Sequence, residues 1–175
     1  MKYLIASDIH GSETALDKVI NYFYREQCDM LLLLGDLLNF GPRNSIPEGH
    51  NPQSVAEKLN QLSDKIIAVR GNCDSEVDQM LLNFPIMADY AELAIDKHRF
   101  FLTHGHLWNA ENLPAIPGGT IPVHGHTHIP EDRMLECGIR VFNPGSISLP
   151  KQQTPQSFGF FDGETFVDAF SNCDA

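Results

Sequence analysis

The stretch Lys2-Tyr3-Leu4-Ile5-Ala6-Ser7-Asp8-Ile9-His10-Gly11-Ser12 decides the fold of this chain. Its first residues are apolar and predict a buried strand over 2–7, and an aspartate and a histidine follow that strand two positions apart. Ser12 can then cap a helix, with Glu13 in the first turn. In a layered α/β fold, side chains just past successive strand ends converge in space. The stretch therefore predicts an opening strand–helix unit and the start of a site.

Four more clusters of ligand-type residues follow, and nearly every one comes directly after a short apolar run. With the first cluster, they are Asp8-Ile9-His10, Gly35-Asp36, Gly71-Asn72-Cys73-Asp74, His104-Gly105-His106 and Gly125-His126-Thr127-His128. Carboxylate oxygens, imidazole nitrogens and an amide oxygen, gathered at one point, are the ligands that a pair of divalent metal ions requires. The clusters together predict a two-metal centre.

The hydrophobic pattern predicts βαβαβ order in the first half of the chain and mainly strands in the second half. The first half contains strands over 2–7, 30–34 and 66–69, helices over 12–27, from 51 and over 76–82, and a long loop over 39–51. The second half contains strands over 90–95, 99–103, 120–123, 140–143, 158–161 and 165–168, the last two joined at Asp162-Gly163 in a hairpin. One domain over 1–175, with two packed sheets and helices outside, is expected.

Composition argues against several classes of function. The formal net charge is −11 and no stripe of lysine and arginine is present, which disfavours binding to a nucleic-acid polymer or an anionic membrane. No apolar run approaches the roughly 20 residues of a membrane span. The start of the chain turns polar too quickly for a signal peptide. A cytoplasmic protein is therefore expected.

Cysteine spacing indicates thiols rather than a zinc finger or a disulfide framework. The chain contains no Cys-x-x-Cys pair, and without a secretion signal free thiols are expected. The four cysteines are Cys28, Cys73, Cys137 and Cys173. Only Cys73 lies inside one of the ligand-type clusters.

Several cluster residues have a plain structural explanation when each is taken alone. Asp8 can cap a helix, and His10 can be an ordinary surface residue. Asp36 can be a turn residue after a strand, and Asn72 can occupy a left-handed turn. The metal-centre hypothesis therefore depends on the joint pattern and not on any one of these residues.

The histidines differ in their surroundings. Three lie in glycine-flanked turns that allow close backbone approach, and core packing explains them poorly: His104, His126 and His128. By contrast, His50 is expected in the solvated long loop and His98 in a solvated turn. His124 is ambiguous, and His106 can reach a substrate from beside the metal ligands.

The five clusters, in this order, resemble the calcineurin-like metallophosphoesterase superfamily over about residues 1–150. The small size, the Gly-Asn-Cys-Asp form and the segment Asn143-Pro144-Gly145-Ser146 are most similar to its small bacterial phosphodiesterases of the YfcE type. The resemblance implies an α/β fold built as a four-layer α/β/β/α sandwich, in which two mixed β-sheets pack face to face with helices outside.

The resemblance also implies a role for each ligand. Two divalent metal ions are implied, Mn²⁺ first, with Fe or Zn²⁺ as alternatives that mixed N/O ligation also suits. Asp36 would bridge both ions together with a hydroxide, which would attack the phosphorus of a small phosphodiester. The other ligands would be Asp8, His10 and His128 for one ion and Asn72, His104 and His126 for the other.

One position departs from the superfamily pattern. Larger members carry a histidine after the asparagine, and that histidine is thought to protonate the leaving group. Here the position is Cys73, whose thiol is a weak donor with an unperturbed pKa of about 8.5, so it can contact the substrate or merely fill space. Asp74 can orient a site histidine or cap the following helix. With Asp36 and Asn72, these two residues complete the candidate catalytic set.

Two further residues are candidates for substrate contact. Arg43, in the long loop, suits bidentate binding of phosphate, and a solvated loop arginine is the alternative. His106 is the second candidate. The expected partner is a small phosphoester, and self-association into a homo-oligomer is compatible with the sequence. Two other functions stay open: a phosphomonoesterase with the same chemistry, and a non-catalytic scaffold like the retromer subunit that shares this fold.

Overall fold

Ten strands and three α-helices build the fold in the computed structural model, which describes residues 1–95 and 97–167. In chain order they are β1 (Tyr3–Ala6), α1 (Glu13–Arg25), β2 (Met30–Leu33), α2 (Pro52–Asn60), β3 (Ile66–Ala68), α3 (Glu76–Leu81), β4 (Tyr90–Ile95), β5 (His98–Thr103), β6 (Thr120–Val123), β7 (Pro130–Met134), β8 (Arg140–Pro144), β9 (Gly159–Phe161) and β10 (Phe166–Val167). The βαβαβ start and the strand-rich second half therefore agree with the hydrophobic pattern.

The strands form two five-stranded sheets, and both are mixed. The first has the order β10-β9-β1-β2-β3, with β1, β2 and β3 parallel and the two C-terminal strands antiparallel. The second has the order β4-β5-β6-β8-β7, with parallel strands in the middle and antiparallel strands at both edges. The predicted α/β sandwich of two mixed sheets is confirmed.

Alternate residues of β1 show how the layers are held together. Tyr3 and Ile5 belong to the apolar cluster between the two sheets, whereas Leu4 and Ala6 belong to the cluster beneath α1 and α2. Because successive side chains of a strand point to opposite faces, a strand covered on both faces must be apolar throughout. This is why β1 contains only hydrophobic residues and the first carboxylate, Asp8, comes after the strand has ended.

The outer face of the second sheet is covered differently. Phe101, which faces away from the first sheet, packs its ring against Tyr90 at 5.2 Å and Trp108 at 5.9 Å. Trp108 belongs to the irregular segment 104–119, which therefore supplies part of the outer layer. The three α-helices of the described residues all lie within the first 81 positions.

Each α-helix begins at a side-chain cap, and for α1 that cap is the predicted Ser12. The Ser12 side chain accepts a hydrogen bond from the Ala15 backbone N–H, and Asn51 caps α2 in the same way, followed by proline at the first helical position. The third helix begins at a capping box made by Ser75 and Asp78. Each cap sets the first residue of its helix. The loop between that residue and the preceding strand contains predicted ligands.

The prediction missed one strand and misplaced one histidine. Strand β7 was not expected, because its residues show neither an apolar run nor an alternating pattern. Antiparallel pairing with β8 holds it, together with two 2.8 Å bonds from Arg140 to Asp132. His98 begins strand β5 and packs its ring edge-on against Phe161 at 5.2 Å, so its predicted place in a solvated turn is wrong.

Three of the predicted free thiols are present as such. Cys28 is buried, Cys73 is half-buried and Cys137 is exposed. Cys173 and the last residue of the predicted strand 165–168 lie outside the described residues. None of the helices within residues 1–95 and 97–167 has the length and apolar character needed to cross a bilayer.

The contact of Gly159 with the inter-sheet core gives a test of the packing. A Cβ atom at Gly159 would lie 2.5 Å from the Phe142 ring, whereas a Cβ at Gly118 would meet nothing within 4 Å. We expect Gly159→Ala to lower the free energy of unfolding by about 1–3 kcal/mol through overpacking. Urea unfolding of both alanine variants measures the effect, and equal midpoints for the two would contradict this packing.

Candidate metal centre

Five of the seven predicted ligands have left-handed backbone conformations. The φ angles are +57° for Asp8, +50° for His10, +56° for Asp36, +69° for His126 and +60° for His128. Such a conformation is unfavourable for residues with a Cβ, at about 1–2 kcal/mol each, and it persists only where the surroundings impose it. The strain is therefore concentrated at the strand ends where the side chains turn inward.

The first group of ligand atoms is fully enclosed. His128 Nε2 lies 3.2 Å from Asp8 Oδ1, and His10 Nε2 lies 3.7 Å from the same oxygen and 3.4 Å from His128 Nε2. All three residues are at most 3% exposed. The strand end after β1 supplies Asp8 and His10, and the turn after β6 brings His128 to them from the second sheet.

A second group adjoins the first through Asp36. Its Oδ2 atom lies 3.8 Å from His10 Nε2 and 3.5 Å from His104 Nε2. His104 Nε2 in turn lies 3.1 Å from Asn72 Oδ1 and 3.2 Å from His126 Nδ1. The structure thus brings together all seven residues predicted as ligands, with Asp36 between the two groups. Their division between two ions stays a prediction.

Backbone carbonyls select the tautomer of three of these histidines. His10, His104 and His128 each place Nδ1 at hydrogen-bonding distance from a carbonyl oxygen, so Nδ1 carries the proton and Nε2 keeps its lone pair. The acceptors are the carbonyl oxygens of Asn39 at 2.9 Å, Leu34 at 2.7 Å and Leu149 at 2.5 Å. The three Nε2 lone pairs therefore face the two carboxylates and one another.

This arrangement fits divalent cations. Asp8 Oδ1 is buried and has no hydrogen-bond partner, and the nearest ligand nitrogen, His128 Nε2, lies 3.2 Å away. Buried lone pairs and a buried anionic oxygen that face each other repel unless a positive charge lies among them. Nitrogen and oxygen donors in this mixture suit Mn²⁺, Fe or Zn²⁺.

The pKa shifts of the site residues also indicate that these buried donors favour a positive charge among them. Burial favours protonation of Asp8, but the neighbouring imidazoles, when protonated, outweigh it and hold the pKa of Asp8 well below its usual range. Burial likewise disfavours charge on His104, but its bond to Asp36 and the charges of both carboxylates raise the pKa of His104 to about 9. Burial and the His104 charge lower the pKa of His126 to about 4.

Asp74 binds backbone N–H groups, a role that the sequence did not indicate. Its carboxylate accepts hydrogen bonds from the backbone N–H groups of Asp36 and Leu37, both at 2.8 Å, and of Gly71 at 2.7 Å. Neither predicted role is correct, since it contacts no site histidine and Ser75 is the cap of α3. Asp74 instead ties the chain after β2 to the chain after β3.

Cys73 lies at the edge of the centre and is not a packing residue alone. Its N–H donates to Asp36 Oδ1 at 2.7 Å, and its sulfur accepts from Asn72 Nδ2 at 3.2 Å. With the amide nitrogen held there, Asn72 Oδ1 turns toward His104. Burial and the nearby Asp36 carboxylate raise the pKa of the Cys73 thiol to about 12.

Further residues hold the ligands in place. The hydroxyls of Ser146 and Ser148 donate to the Asp8 carbonyl oxygen at 3.0 and 2.7 Å, and Ser7 donates to the Asp8 carboxylate at 2.7 Å. Asn143 donates to the Gly125 carbonyl oxygen at 3.1 Å and so fixes the turn before His126. The partners of Asn143, Ser146 and Ser148 lie 18 or more positions away, so the local sequence pattern does not indicate these three contacts.

A cleft of about 890 Å³ opens onto the centre. Arg43, the predicted substrate contact, lines it, together with Phe40 from the same loop and Lys151 from the segment after β8. His106 lies beside the ligand histidines, its ring 5.4 Å from His104, with a buried Nδ1 that has no partner. Neither Phe40 nor Lys151 lies in a motif that would have identified it from the sequence.

Comparison with known proteins agrees with the geometry. The sequence model of the calcineurin-like phosphoesterase superfamily domain matches residues 1–165. The protein named Phosphodiesterase YfcE, from Escherichia coli K12, is 52% identical over 164 residues, which are 94% of this chain and 89% of that protein. This chain belongs to the calcineurin-like phosphoesterase superfamily. The family and the phosphoesterase class predicted from the clusters are thereby confirmed.

Solved structures within the superfamily show the same fold. YfcE, a phosphoesterase from E. coli, superposes with a TM-score of 0.93 at 50% identity, covering 98% of this chain and 94% of that one. Vps29 from Entamoeba histolytica, solved in complex with Zn²⁺, has a TM-score of 0.58 at 17% identity and covers 95% of this chain and 89% of that one. At that identity the likeness concerns the fold alone.

Two other histidines are more buried than a solvated residue would be. His50 lies in the predicted long loop and is half-buried, edge-on to Phe40 with ring centroids 5.1 Å apart, so it is only partly exposed to solvent. His124 is 1% exposed and lies behind the turn that carries His126, with its Nε2 3.8 Å from Glu131. Neither lies among the ligand groups.

The three bonds of Asp74 generate a prediction about metal affinity. In Asp74→Asn one amide nitrogen replaces an acceptor that faces backbone N–H groups, which loosens the loops carrying Asp36 and Asn72. We expect the affinity for Mn²⁺ to fall by about 10- to 100-fold. Calorimetric titration of the chelator-stripped protein measures it. Asp64→Asn, at an exposed position, is the matched control, and equal affinities for the two variants would refute this role.

Proposed function

We propose that this chain is a metal-dependent phosphodiesterase that hydrolyses a small phosphodiester at a centre of two divalent ions. The observation that carries the proposal is Asp36 between two groups of inward-facing donors, next to the partnerless buried oxygen of Asp8. Similarity to proteins named as phosphodiesterases, YfcE and the more distant MJ0936 of Methanocaldococcus jannaschii at 29% identity over 83% of each chain, supports the diester preference.

The residues would divide between the ions as their distances group them. Asp36 would contact both ions. The remaining ligands would be Asp8, His10 and His128 for one and Asn72, His104 and His126 for the other. When bound, such ions acidify water and offset the negative charge on a phosphoryl group. We propose Mn²⁺ as the native metal, since oxygen and imidazole ligands without a thiolate pair suit it.

The chain's own contribution is orientation and charge. The carbonyl-bound histidines cannot rotate, so the donor positions are fixed before any ligand arrives. Asp8 and Asp36 supply two negative charges against the four positive charges of two ions, which leaves the centre attractive to an anionic phosphate. The net charge of −11 therefore does not prevent substrate binding at this point.

The alternative functions fit less well. A non-catalytic scaffold has no need of seven converging donors with enforced tautomers and strained backbone. A phosphomonoesterase would use the same centre, and the ratio of monoester to diester rates on one preparation distinguishes it. We propose a cytoplasmic location, which agrees with the sequence's lack of a membrane-spanning run.

Hydrolysis of bis(p-nitrophenyl) phosphate tests the proposal. Chelator-stripped protein should be inactive and should regain activity with Mn²⁺. Asp36→Asn and His126→Ala should each lower kcat/KM by about a hundredfold or more, because each removes a donor at the reacting centre. Asp64→Asn should keep full activity. Wild-type activity in either centre variant, with metal content unchanged, would overturn the site assignment.

Cys73 generates a separate prediction about the leaving group. Because its thiol holds its proton tightly and contacts Asn72, we expect it to position that amide and not to donate a proton. Cys73→Ser, which keeps an acceptor for Asn72, should retain hydrolysis of p-nitrophenyl diesters within about threefold and leave the dependence of rate on leaving-group pKa unchanged. A loss of about a hundredfold confined to alkyl diesters would identify Cys73 as the general acid instead.

A further inference from the structure

The cleft beside the centre is larger than a phosphodiester group needs. Its volume of about 890 Å³ is near the upper end of the roughly 300–1,000 Å³ that small-molecule sites occupy. Besides centre residues, it is lined by Phe40, Pro42, Arg43 and Lys151. The cleft therefore offers both apolar and cationic surface to a part of the substrate that does not react.

The two cations of the cleft lack the carboxylate partners that several other cations of this acidic chain have. Five basic side chains pair with carboxylates: Arg25, Lys58, Arg70, Arg133 and Arg140. Arg43 and Lys151 are exposed, and within residues 1–95 and 97–167 neither forms an ion pair or a side-chain hydrogen bond. In a protein with a net charge of −11, two unpaired cations at one cleft mark a place for negative charge.

The backbone holds Lys151 at the rim of the centre. Its N–H donates to the His128 carbonyl oxygen at 3.2 Å, and two residues earlier the Leu149 carbonyl oxygen accepts from the His128 ring at 2.5 Å. Gln152 and Gln153 then both take left-handed conformations, with φ of +53° and +61°, so that the chain turns back directly after Lys151. The lysine is thus fastened to a ligand and not carried by a free loop.

Phe40 is fixed in a similar way. The neighbouring Asn39 carbonyl oxygen accepts from the His10 ring at 2.9 Å, and the Phe40 ring packs edge-on against the His50 ring. Asn44 donates to the Phe40 carbonyl oxygen at 2.9 Å, which closes the turn that carries Arg43. An aromatic ring and an arginine therefore stand on one anchored loop, and planar bases stack on such rings with little regard to their identity.

We propose that Arg43 and Lys151 form a subsite for a second phosphate of the substrate, with Phe40 as the stacking surface for a planar base. The substrate class is then a phosphodiester of a nucleotide that carries a further phosphate, and not a diester of a small uncharged alcohol. This inference rests on the proposed phosphodiesterase function and adds the part of the substrate that lies outside the metal centre.

Three p-nitrophenyl diesters with the same leaving group test the subsite. They are bis(p-nitrophenyl) phosphate, the p-nitrophenyl ester of thymidine 5′-phosphate, and the same ester with a 3′-phosphate. Wild-type protein with Mn²⁺ should prefer the 3′-phosphorylated ester to the unphosphorylated one by about tenfold or more in kcat/KM, chiefly through KM, because charge-assisted contacts to non-reacting groups act on binding.

In the double variant Arg43→Gln/Lys151→Gln, kcat/KM for the 3′-phosphorylated ester should fall about tenfold further than kcat/KM for bis(p-nitrophenyl) phosphate, so that the preference is lost. The matched control is Lys65→Gln/Arg99→Gln, which removes the same charge. These two residues lie at the starts of β3 and β5, whereas the metal centre lies beyond the ends of these strands. Phe40→Leu should lower the preference for the thymidine ester over methyl p-nitrophenyl phosphate.

The outcomes separate the two proposals. If wild-type protein hydrolyses none of the diesters, the phosphodiesterase function fails. If it hydrolyses bis(p-nitrophenyl) phosphate but shows no preference for the 3′-phosphate, the function stands and the subsite is overturned. An equal loss on all three diesters in the cleft double variant also overturns it, because Arg43 and Lys151 would then serve the reacting phosphate.

Discussion

The structure depends on keeping two carboxylates, Asp8 and Asp36, buried within 4 Å of the Nε2 atoms of three imidazoles whose Nδ1 atoms bond to backbone carbonyls. Burying an isolated charge costs much free energy, and nitrogen lone pairs that face the charge add to that cost. The arrangement is therefore stable only with cations or protons among the donors. The high pKa of His104 and the low pKa of Asp8 are two expressions of that single requirement.

The rest of the fold holds the donors close together, although their mutual repulsion would drive them apart. Parallel strands β1, β2 and β3 end at one edge of the first sheet, and Asp74 ties two of the chains that leave them. Gly71 is needed at this point because a Cβ there would lie 2.1 Å from Asp36 Oδ1. The second sheet contributes the remaining histidines through the inter-sheet core, so a loss of packing between sheets would separate the two halves of the site.

What the sequence predicted, and what it did not, follows from the range of each interaction. The convergence of the seven donor residues was predictable because residue type and position after an apolar run are local signals, and their order along the chain is specific. Asp74 was misassigned because the donors to its carboxylate are backbone N–H groups up to 38 positions away, which no side-chain pattern records. Strand β7 was missed because pairing with its neighbour, and not its own hydrophobicity, makes it a strand.

The same reasoning explains why substrate selection is harder to predict from sequence than metal binding. Metal ligands must be particular residue types, so a short motif carries most of the information. A cleft needs only a cation and a ring at suitable positions, and these types are common at surfaces. Lys151 becomes notable only when its backbone bond to His128 and its lack of an anionic partner are known. Gln152 and Gln153 turn the chain immediately after Lys151 in left-handed conformations, which residue type alone does not predict for glutamine.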